Sequence, residues 1–224
     1  MIPAARRTEM SRGVSGRELL TALKATAGMP GPALVVPVGS PPEAFLRPVA
    51  TREELLNPAD VQLITDWRNR FAKAFLTEFH ATPSRTARWL VEVVGPKEGK
   101  ILFMIDDRCG GTWGHMGLDQ IDWKQGLGEA DAIVRGGEAS PGSTKRALQA
   151  LLAWGTGQLG LREMTLRVRS DNTAVEFYRK VGFREIRRIP LRRVEEPEII
   201  RWIEDSSLSA ASVYVVHMRW ERGI

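Results

Sequence analysis

Asp171-Asn172-Thr173-Ala174-Val175-Glu176-Phe177-Tyr178-Arg179-Lys180-Val181-Gly182-Phe183 sets the frame for the rest of the chain. Asp171 or Asn172 offers a short oxygen-bearing side chain that can accept the free N–H groups at a helix start. Ala174, Phe177, Tyr178 and Val181 stand at i, i+3, i+4 and i+7, which makes one apolar helical face. Gly182 tolerates the positive φ that commonly follows a last helical turn. Phe183 opens the next apolar run. By periodicity alone this is a capped amphipathic helix laid on a sheet.

On its N-terminal side, Glu163 to Arg169 alternates Met164, Leu166 and Val168 with polar neighbours, a strand pattern. Ser143 to Leu159 is helical, with Ala147, Leu148, Leu151 and Leu152 facing inward. A glycine-containing loop, Gly136 to Gly142, precedes it, and Glu129 to Arg135 is a short strand. Lys100 to Ile105 reads as a buried strand, Asp106 to Gly111 as a turn and Thr112 to Ile121 as the hairpin partner. Three helical stretches come earlier. One starts near Asn57-Pro58 and carries Val61, Leu63, Ile64 and Trp67, with proline well placed at the first helical position. A second runs from Arg70 to Phe79, with Phe71, Ala74, Phe75 and Phe79 on one side. Pro83 opens a third, with Trp89, Leu90 and Val93. Phe45 to Val49 is a first strand of this region.

Residues 1–44 read as an N-terminal extension, loose over 1–14. Ser15 to Glu18 is a capping box, with the hydroxyl at the cap and the carboxylate three residues on. A helix from Arg17 to Ala27 follows, then a proline-punctuated segment in which Leu34-Val35-Val36 forms an edge strand. Beyond the central helix, Ile186 to Leu191 is a strand. Residues 194–211 are an insertion with a short helix around Ile199 to Ile203, and Ser212 to Trp220 is a closing strand. The main domain is therefore expected over 45–224.

Apolar residues make up 43% of the chain and charged residues 26%, ordinary for a globular protein. A formal charge of +5 suits an anionic partner such as a nucleotide or coenzyme. Nucleic acid fits less well, because the basic residues are scattered among Asp and Glu; the doublets Arg187-Arg188 and Arg192-Arg193 read as a solvated strand edge. Cys109 is the only cysteine, which excludes an intrachain disulfide and a cysteine metal site. His80, His115 and His217 lack ligand-like spacing, so no metal is expected. No apolar run approaches the roughly 20 residues that cross a membrane. Arg6-Arg7 is not followed by the apolar core of a secretory signal. A cytoplasmic location is expected.

Asn172, Ala174, Val175, Phe177, Tyr178, Lys180, Gly182 and Phe183 together resemble the C-terminal signature of the GCN5-related N-acetyltransferase (GNAT) superfamily. The order of strands and helices over 45–220 is similar to that family's order. The resemblance implies an α/β (α+β) fold: a central mixed, mostly antiparallel sheet with a splayed parallel strand pair, flanked by helices. It implies acetyl-CoA as co-substrate and direct acetyl transfer to a primary amine.

The resemblance also assigns residues. The loop from Arg135 through Gly137 and Gly142 to Ser143, Thr144 and Lys145 takes the place of the pyrophosphate loop, where N–H groups and a helix N-terminus suit a diphosphate. Thr144 stands where glycine or alanine is usual, and the loop carries extra residues. Backbone groups of Ile133 and Val134 would line the pantetheine arm, one N–H polarising the thioester carbonyl. Asn172 would bind the pantetheine, beside Phe177, and Tyr178 would protonate the leaving thiolate. Asp131, Glu129 and His115 are candidates for the base that takes a proton from the amine, in that order. Trp67-Arg68-Asn69 is similar to a feature of the branches that acetylate nucleotide-linked amino sugars and ribosomal-protein N-termini. By that likeness Arg68 would grip a phosphate or carboxylate, Asn69 a sugar hydroxyl and Trp89 a base. The readings left open are a small-molecule acceptor (a nucleotide-linked amino sugar among them), a protein N-terminus, and a non-catalytic acyl-CoA-binding module. A homodimer is compatible with any of these.

Overall fold

The computed structural model describes residues 6–7, 14–31 and 34–222. In chain order the elements are β1 (Arg6–Arg7), α1 (Gly16–Thr26), β2 (Leu34–Val38), β3 (Ala44–Pro48) and α2 (Pro58–Arg70). There follow β4 (Thr77–Phe79), α3 (Pro83–Trp89, continued by a wider turn over Leu90–Val94), β5 (Ile101–Asp107), β6 (Thr112–Asp122) and β7 (Leu127–Arg135). The chain ends with α4 (Ser143–Gly157), β8 (Glu163–Arg169), α5 (Ala174–Val181), β9 (Phe183–Glu196), β10 (Ile199–Glu204) and β11 (Tyr214–Trp220). The looseness expected of 1–14 falls mostly outside the described residues.

One sheet runs β1-β2-β3-β5-β6-β7-β8-β11-β9-β10-β4. Among the described residues only β1–β2 and β7–β8 pair in parallel. The resulting fold is a mixed, mostly antiparallel sheet with helices on both faces. On one face α1, α4 and α5 bury Leu20, Leu23, Leu148, Leu151, Tyr178 and Val181 against Phe103, Met116, Leu118 and Leu166. On the other, α2 and the turn after α3 bury Val61, Ile64, Trp67 and Leu90 against Leu102, Met104 and Val134. Alternating residues of β5 thus supply both cores, the period-two geometry of a strand covered on both sides. Residues 16–38 share the sheet and the first core.

Local chemistry accounts for the helix ends. Ser15 accepts from the Glu18 N–H and Glu18 returns to the Ser15 N–H, a complete capping box. Asn57 accepts from the Ala59 N–H just ahead of Pro58. In the central helix, Asn172 Oδ1 accepts from the Ala174 N–H at 2.9 Å, while Asp171 is held by Arg169 instead. The buried face of α5 is Val175, Tyr178 and Val181, with Ala174 and Phe177 half-buried at its margin. Gly182 stops the helix at φ 110°.

Two expectations fail in the same place. The segment after Arg70 is a single helical turn over Ala72–Ala74 followed by strand β4, and 199–204 is strand β10 rather than a helix. The two strands pair with each other, Phe79 opposite Ile199 and Thr77 opposite Arg201. β10 also forms a hairpin with β9, turning at Glu198 in the left-handed region at φ 67°. Phe71, Phe75 and Phe79 do sit at helical spacing. They serve instead to surround arginines, with the Arg68 guanidinium 3.8 Å from the Phe75 ring centre and 4.7 Å from that of Phe79. A nonlocal ladder supplies the backbone partners that a local helix would have supplied.

Candidate active site

β7 and β8 are joined over three residue pairs only, Leu127–Glu163, Gly128–Met164 and Glu129–Thr165. Beyond them β8 follows β11 and β7 follows β6, so the two strands part. The cause is a bulge in β7. His115 faces Val134 and Gly117 faces Asp131, so two residues, Ala132 and Ile133, lie opposite Met116 alone. The extra residue bends the strand and raises its twist. Ala132 takes φ 52°, rare for a residue with a Cβ. The edge of 131–135 that would have met β8 is left without a ladder partner, and it borders the split.

The side of the split toward α2 is charged. Lys100 is buried and donates to Asp119 at 2.7 Å and to Asp131 at 2.9 Å. Burial works against its charge, and the two carboxylates outweigh that and hold its pKa above the usual lysine value. Glu129 lies one step back along β7, gripped by Arg167 Nε at 3.0 Å. Burial pushes the Glu129 carboxyl up despite that arginine. His115 is 5% exposed and its Nδ1 donates to the Ala132 carbonyl at 2.7 Å. A carbonyl can only accept, so Nδ1 carries the proton and Nε2 is bare in the neutral ring. Burial lowers the His115 pKa to about 4.

On the other side lies Tyr178, 8% exposed, between the rings of Phe177 at 5.4 Å and Phe183 at 6.1 Å. Burial, reinforced by the negative charge of Asp131, pushes its hydroxyl well above the ordinary tyrosine value. It therefore stays a proton donor, and no hydrogen bond engages it among the described residues. Asn172 Nδ2 reaches the Ala74 carbonyl at 3.4 Å.

The loop after β7 has a defined donor set. Gly136 and Gly137 give their N–H groups to the Trp113 carbonyl at 3.0 and 2.8 Å. The Gly137 N–H is thus already bonded, and any part Gly137 plays in holding the coenzyme rests on other atoms. The Ser143 N–H likewise meets the Ser140 carbonyl at 3.1 Å. Gly142 caps α4 at φ 82°, and the first-turn N–H groups of Thr144 and Lys145 point out of the helix start. Arg146 folds over this start. Its Nη2 donates to Ser143 Oγ at 3.2 Å and its Nε bonds Glu43. A Cβ on Gly142 would stand 2.8 Å from Arg146 Nη1. N–H groups at a helix N-terminus suit an anion, and the guanidinium beside them is shared with Glu43.

Asp131, His115 and Tyr178 thus gather around the split, with Ile133 and Val134 forming its backbone wall and Arg135 leading into the loop. The expected acceptor residues do not join them freely. Asn69 has both ends of its amide taken by Ala81, at 2.7 and 3.0 Å, which corrects its expected grip on a sugar. Trp89 is half-buried in the second core with Lys100 Nζ 5.7 Å from its ring centre, so it is engaged by the protein rather than standing free. Arg68 donates to the Thr77 carbonyl at 2.5 Å, and burial followed by the nearby Arg85 lowers its pKa to about 10. Two residues escaped the sequence reading. Lys100 looked like the polar start of a strand, and Arg146 lay inside a helical pattern. The signal for Arg146 was a cation in a first helical turn, where the dipole disfavours one. A groove of about 450 Å³ opens beside Asn172, lined by Lys73, Glu78, Arg169, Arg193 and Trp202.

A split parallel pair, a phosphate-type helix start and a buried tyrosine are the arrangement that the signature residues led one to expect. The family model described as Acetyltransferase (GNAT) domain matches residues 45–184. The chain belongs to the GNAT family. It is an N-acetyltransferase of the kind that uses acetyl-CoA. No curated protein matches it in sequence. Among solved structures it is similar to spermidine N-acetyltransferase from Vibrio cholerae in complex with CoA and spermine, at 18% identity and TM-score 0.60, covering 79% of this chain and 94% of that one. A chimera of the Vibrio cholerae enzyme with hSSAT matches at 19% identity and TM-score 0.57, covering 80% and 95%. A dodecameric structure of the Vibrio cholerae enzyme matches at 16% identity and TM-score 0.56, covering 79% and 92%. These likenesses concern the GNAT fold. No helix among the described residues is long and apolar enough to cross a membrane.

Proposed function

We propose that this chain transfers the acetyl group of acetyl-CoA directly to the amine of a small basic molecule held on the Asp131 side of the split. The observation that carries the reading is a buried, unengaged Tyr178 hydroxyl within electrostatic reach of the Asp131 carboxylate. Gly142, Thr144, Lys145 and Arg146 would hold the diphosphate, with Ser143 contributing its hydroxyl. The free edge of Ile133 and Val134 would pair with the pantetheine arm, with Asn172 and Phe177 beside it. Bound there, acetyl-CoA supplies an activated acyl group. An N–H of the β7 edge polarises its carbonyl. Asp131 takes a proton from the incoming ammonium, and Tyr178 gives one to the departing sulfur. Glu129 is the second reading for the base, favoured by the upward push that burial gives its carboxyl.

The carboxylates near the split, Asp131, Glu129, Glu78 and Glu204, are each paired with Lys100, Arg167 or Arg169, so charge alone does not choose the acceptor. The Vibrio cholerae structure with spermine suggests polyamines as the first class to try. The nucleotide-linked amino sugar finds no support in this arrangement, because Asn69 and Trp89 are occupied and Arg68 is tied to Thr77. A peptide N-terminus needs an open groove, and the β4–β10 pairing walls one side. Self-association and a cytoplasmic site of action belong to the same proposal. Titration calorimetry with acetyl-CoA, using Gly142→Glu as control, followed by thiol release over a panel of polyamines, amino sugars and short peptides, tests it. Saturable binding lost in G142E, with turnover of a small amine, is expected. Binding without turnover, unchanged in Tyr178→Phe, would mean a non-catalytic acyl-CoA module.

A further inference from the structure

The GNAT reading leaves the segment Gly114-His115-Met116-Gly117 and the helix residue Trp67 without a role. They meet at one point. His115 lies under Trp67, ring centres 5.8 Å apart and planes 29° from parallel. The same indole lies against Gly136, where any Cβ would overlap it. Arg70, three residues on in α2, donates to the Gly136 carbonyl at 3.0 Å. One helix face therefore braces both ends of the segment 132–136. Gly114 and Gly117 bring the neighbouring backbones close on either side of His115. A Cβ at Gly114 would stand 2.5 Å from the Val134 carbonyl oxygen, and one at Gly117 would run into Ile101.

At the centre of this clamp is the strained residue. Ala132 sits at φ 52°, a conformation that disfavours a Cβ and persists only when its surroundings hold it. What holds it is the Nδ1–H of His115 on its carbonyl, at 2.7 Å.

We infer that His115 is a positioning residue: its Nδ1–H pins the Ala132 carbonyl, fixes the β7 bulge, and so aims the following N–H groups into the split where the thioester binds. The inference rests on the acetyl-transfer reading above. It sets aside the expectation that His115 is a base. The ring is neutral, with its proton committed to a carbonyl. The charged groups within electrostatic reach of it, Asp131 and Arg68, oppose each other in their effect, and burial dominates both.

Three variants separate the roles. Asparagine places an amide N–H near the Nδ1 position, glutamine places one near Nε2, and leucine has none. Positioning predicts that His115→Asn keeps kcat/KM within about an order of magnitude, while His115→Gln and His115→Leu lose about 100-fold, the scale of an ångström-level misplacement. The loss falls on kcat and on acetyl-CoA affinity, with KM for the amine unchanged. Adding Ala132→Gly to H115L recovers part of the loss, because glycine adopts positive φ unaided. The acid limb of the pH–rate profile stays where it is in H115N. If H115N falls as far as H115L and the acid limb disappears in both, His115 is the base and the inference is overturned. Equal activity of all three variants overturns it too.

Nitrogen NMR of the ring reads the geometry without any substrate. Protonated Nδ1 and bare Nε2 at neutral pH are required, and the opposite tautomer sinks the clamp even in an active enzyme. Wild-type protein that shows this tautomer but binds no acetyl-CoA would instead overturn the acetyl-transfer reading on which the inference depends.

Discussion

The two faces of the sheet are built on different principles. Under α1, α4 and α5 the interior is aliphatic and aromatic, and Leu23, Leu148, Leu151, Met116 and Leu118 have almost no exposed surface. Toward α2 and the β9–β10 hairpin the interior is interrupted by charge: Lys100 between Asp119 and Asp131, Glu129 on Arg167, Arg169 between Glu78 and Asp171. The first face gains stability from area removed from water. The second gains little net stability from its ion pairs, because desolvation offsets much of the Coulomb attraction. It keeps instead a set of polar groups at fixed positions beside the split. The charged side brings polar groups to the split, while Tyr178 and the start of α4 approach it from the apolar side.

The sharpest way to break this contrast is Lys100→Met. It takes the cation from Asp131 and leaves Asp119 with Lys97 alone, and is expected to cost about 3 kcal/mol of stability, the low end for a broken buried pair, read by urea unfolding. A cost under about 1 kcal/mol would mean that the charged face tolerates change as a solvated surface does. Leu151→Ala is the counterpart on the apolar face, with a loss of about 3 kcal/mol but an unchanged turnover per folded molecule. A fall in turnover there would blur the contrast.

Stability against pH gives a third view. The folded pKa of His115, about 4, lies below its ordinary 6.5, so between these values the unfolded chain binds a proton that the folded one does not. Its contribution is full above pH 6.5 and shrinks as pH falls toward 4, by at most about 3–4 kcal/mol. The pH dependence of the melting temperature should flatten over that window in His115→Asn. A fourth test concerns chemistry alone: Tyr178→Phe should lower kcat about 100-fold and leave both acetyl-CoA affinity and unfolding nearly unchanged. A large loss of stability in that variant would make Tyr178 a core residue first.

The same contrast explains what the sequence could tell. The apolar face was legible, because local periodicity reports burial: α4, α5 and β8 lie where Leu148, Leu151, Tyr178 and Met164 point. Gly142 and Gly182 were legible because positive φ selects glycine. The charged face was not. Lys100 on the Asp131 carboxylate, and Asn69 on the Ala81 backbone, are contacts whose spacing obeys no period. β4 and β10 were read as helices because each is short and its ladder partner lies far away in the chain. Arg68 and Trp89 looked available because nothing in the sequence shows that Thr77 and Lys100 already hold them.

That distant pairing has a bearing on synthesis. Glu78 and Trp202, bonded at 2.6 Å across the β4–β10 wall, are separated by 124 positions. At about 5–20 residues per second, β4 waits on the ribosome for roughly 6 to 25 s before its partner strand exists. Through that interval Phe75 and Phe79 lack the β10 ladder, and the signature helix at 174–181 is itself made only near its end. A chain that stalls before residue 199 would carry an exposed strand with unmatched N–H and C=O groups, a substrate for chaperones rather than an acetyltransferase.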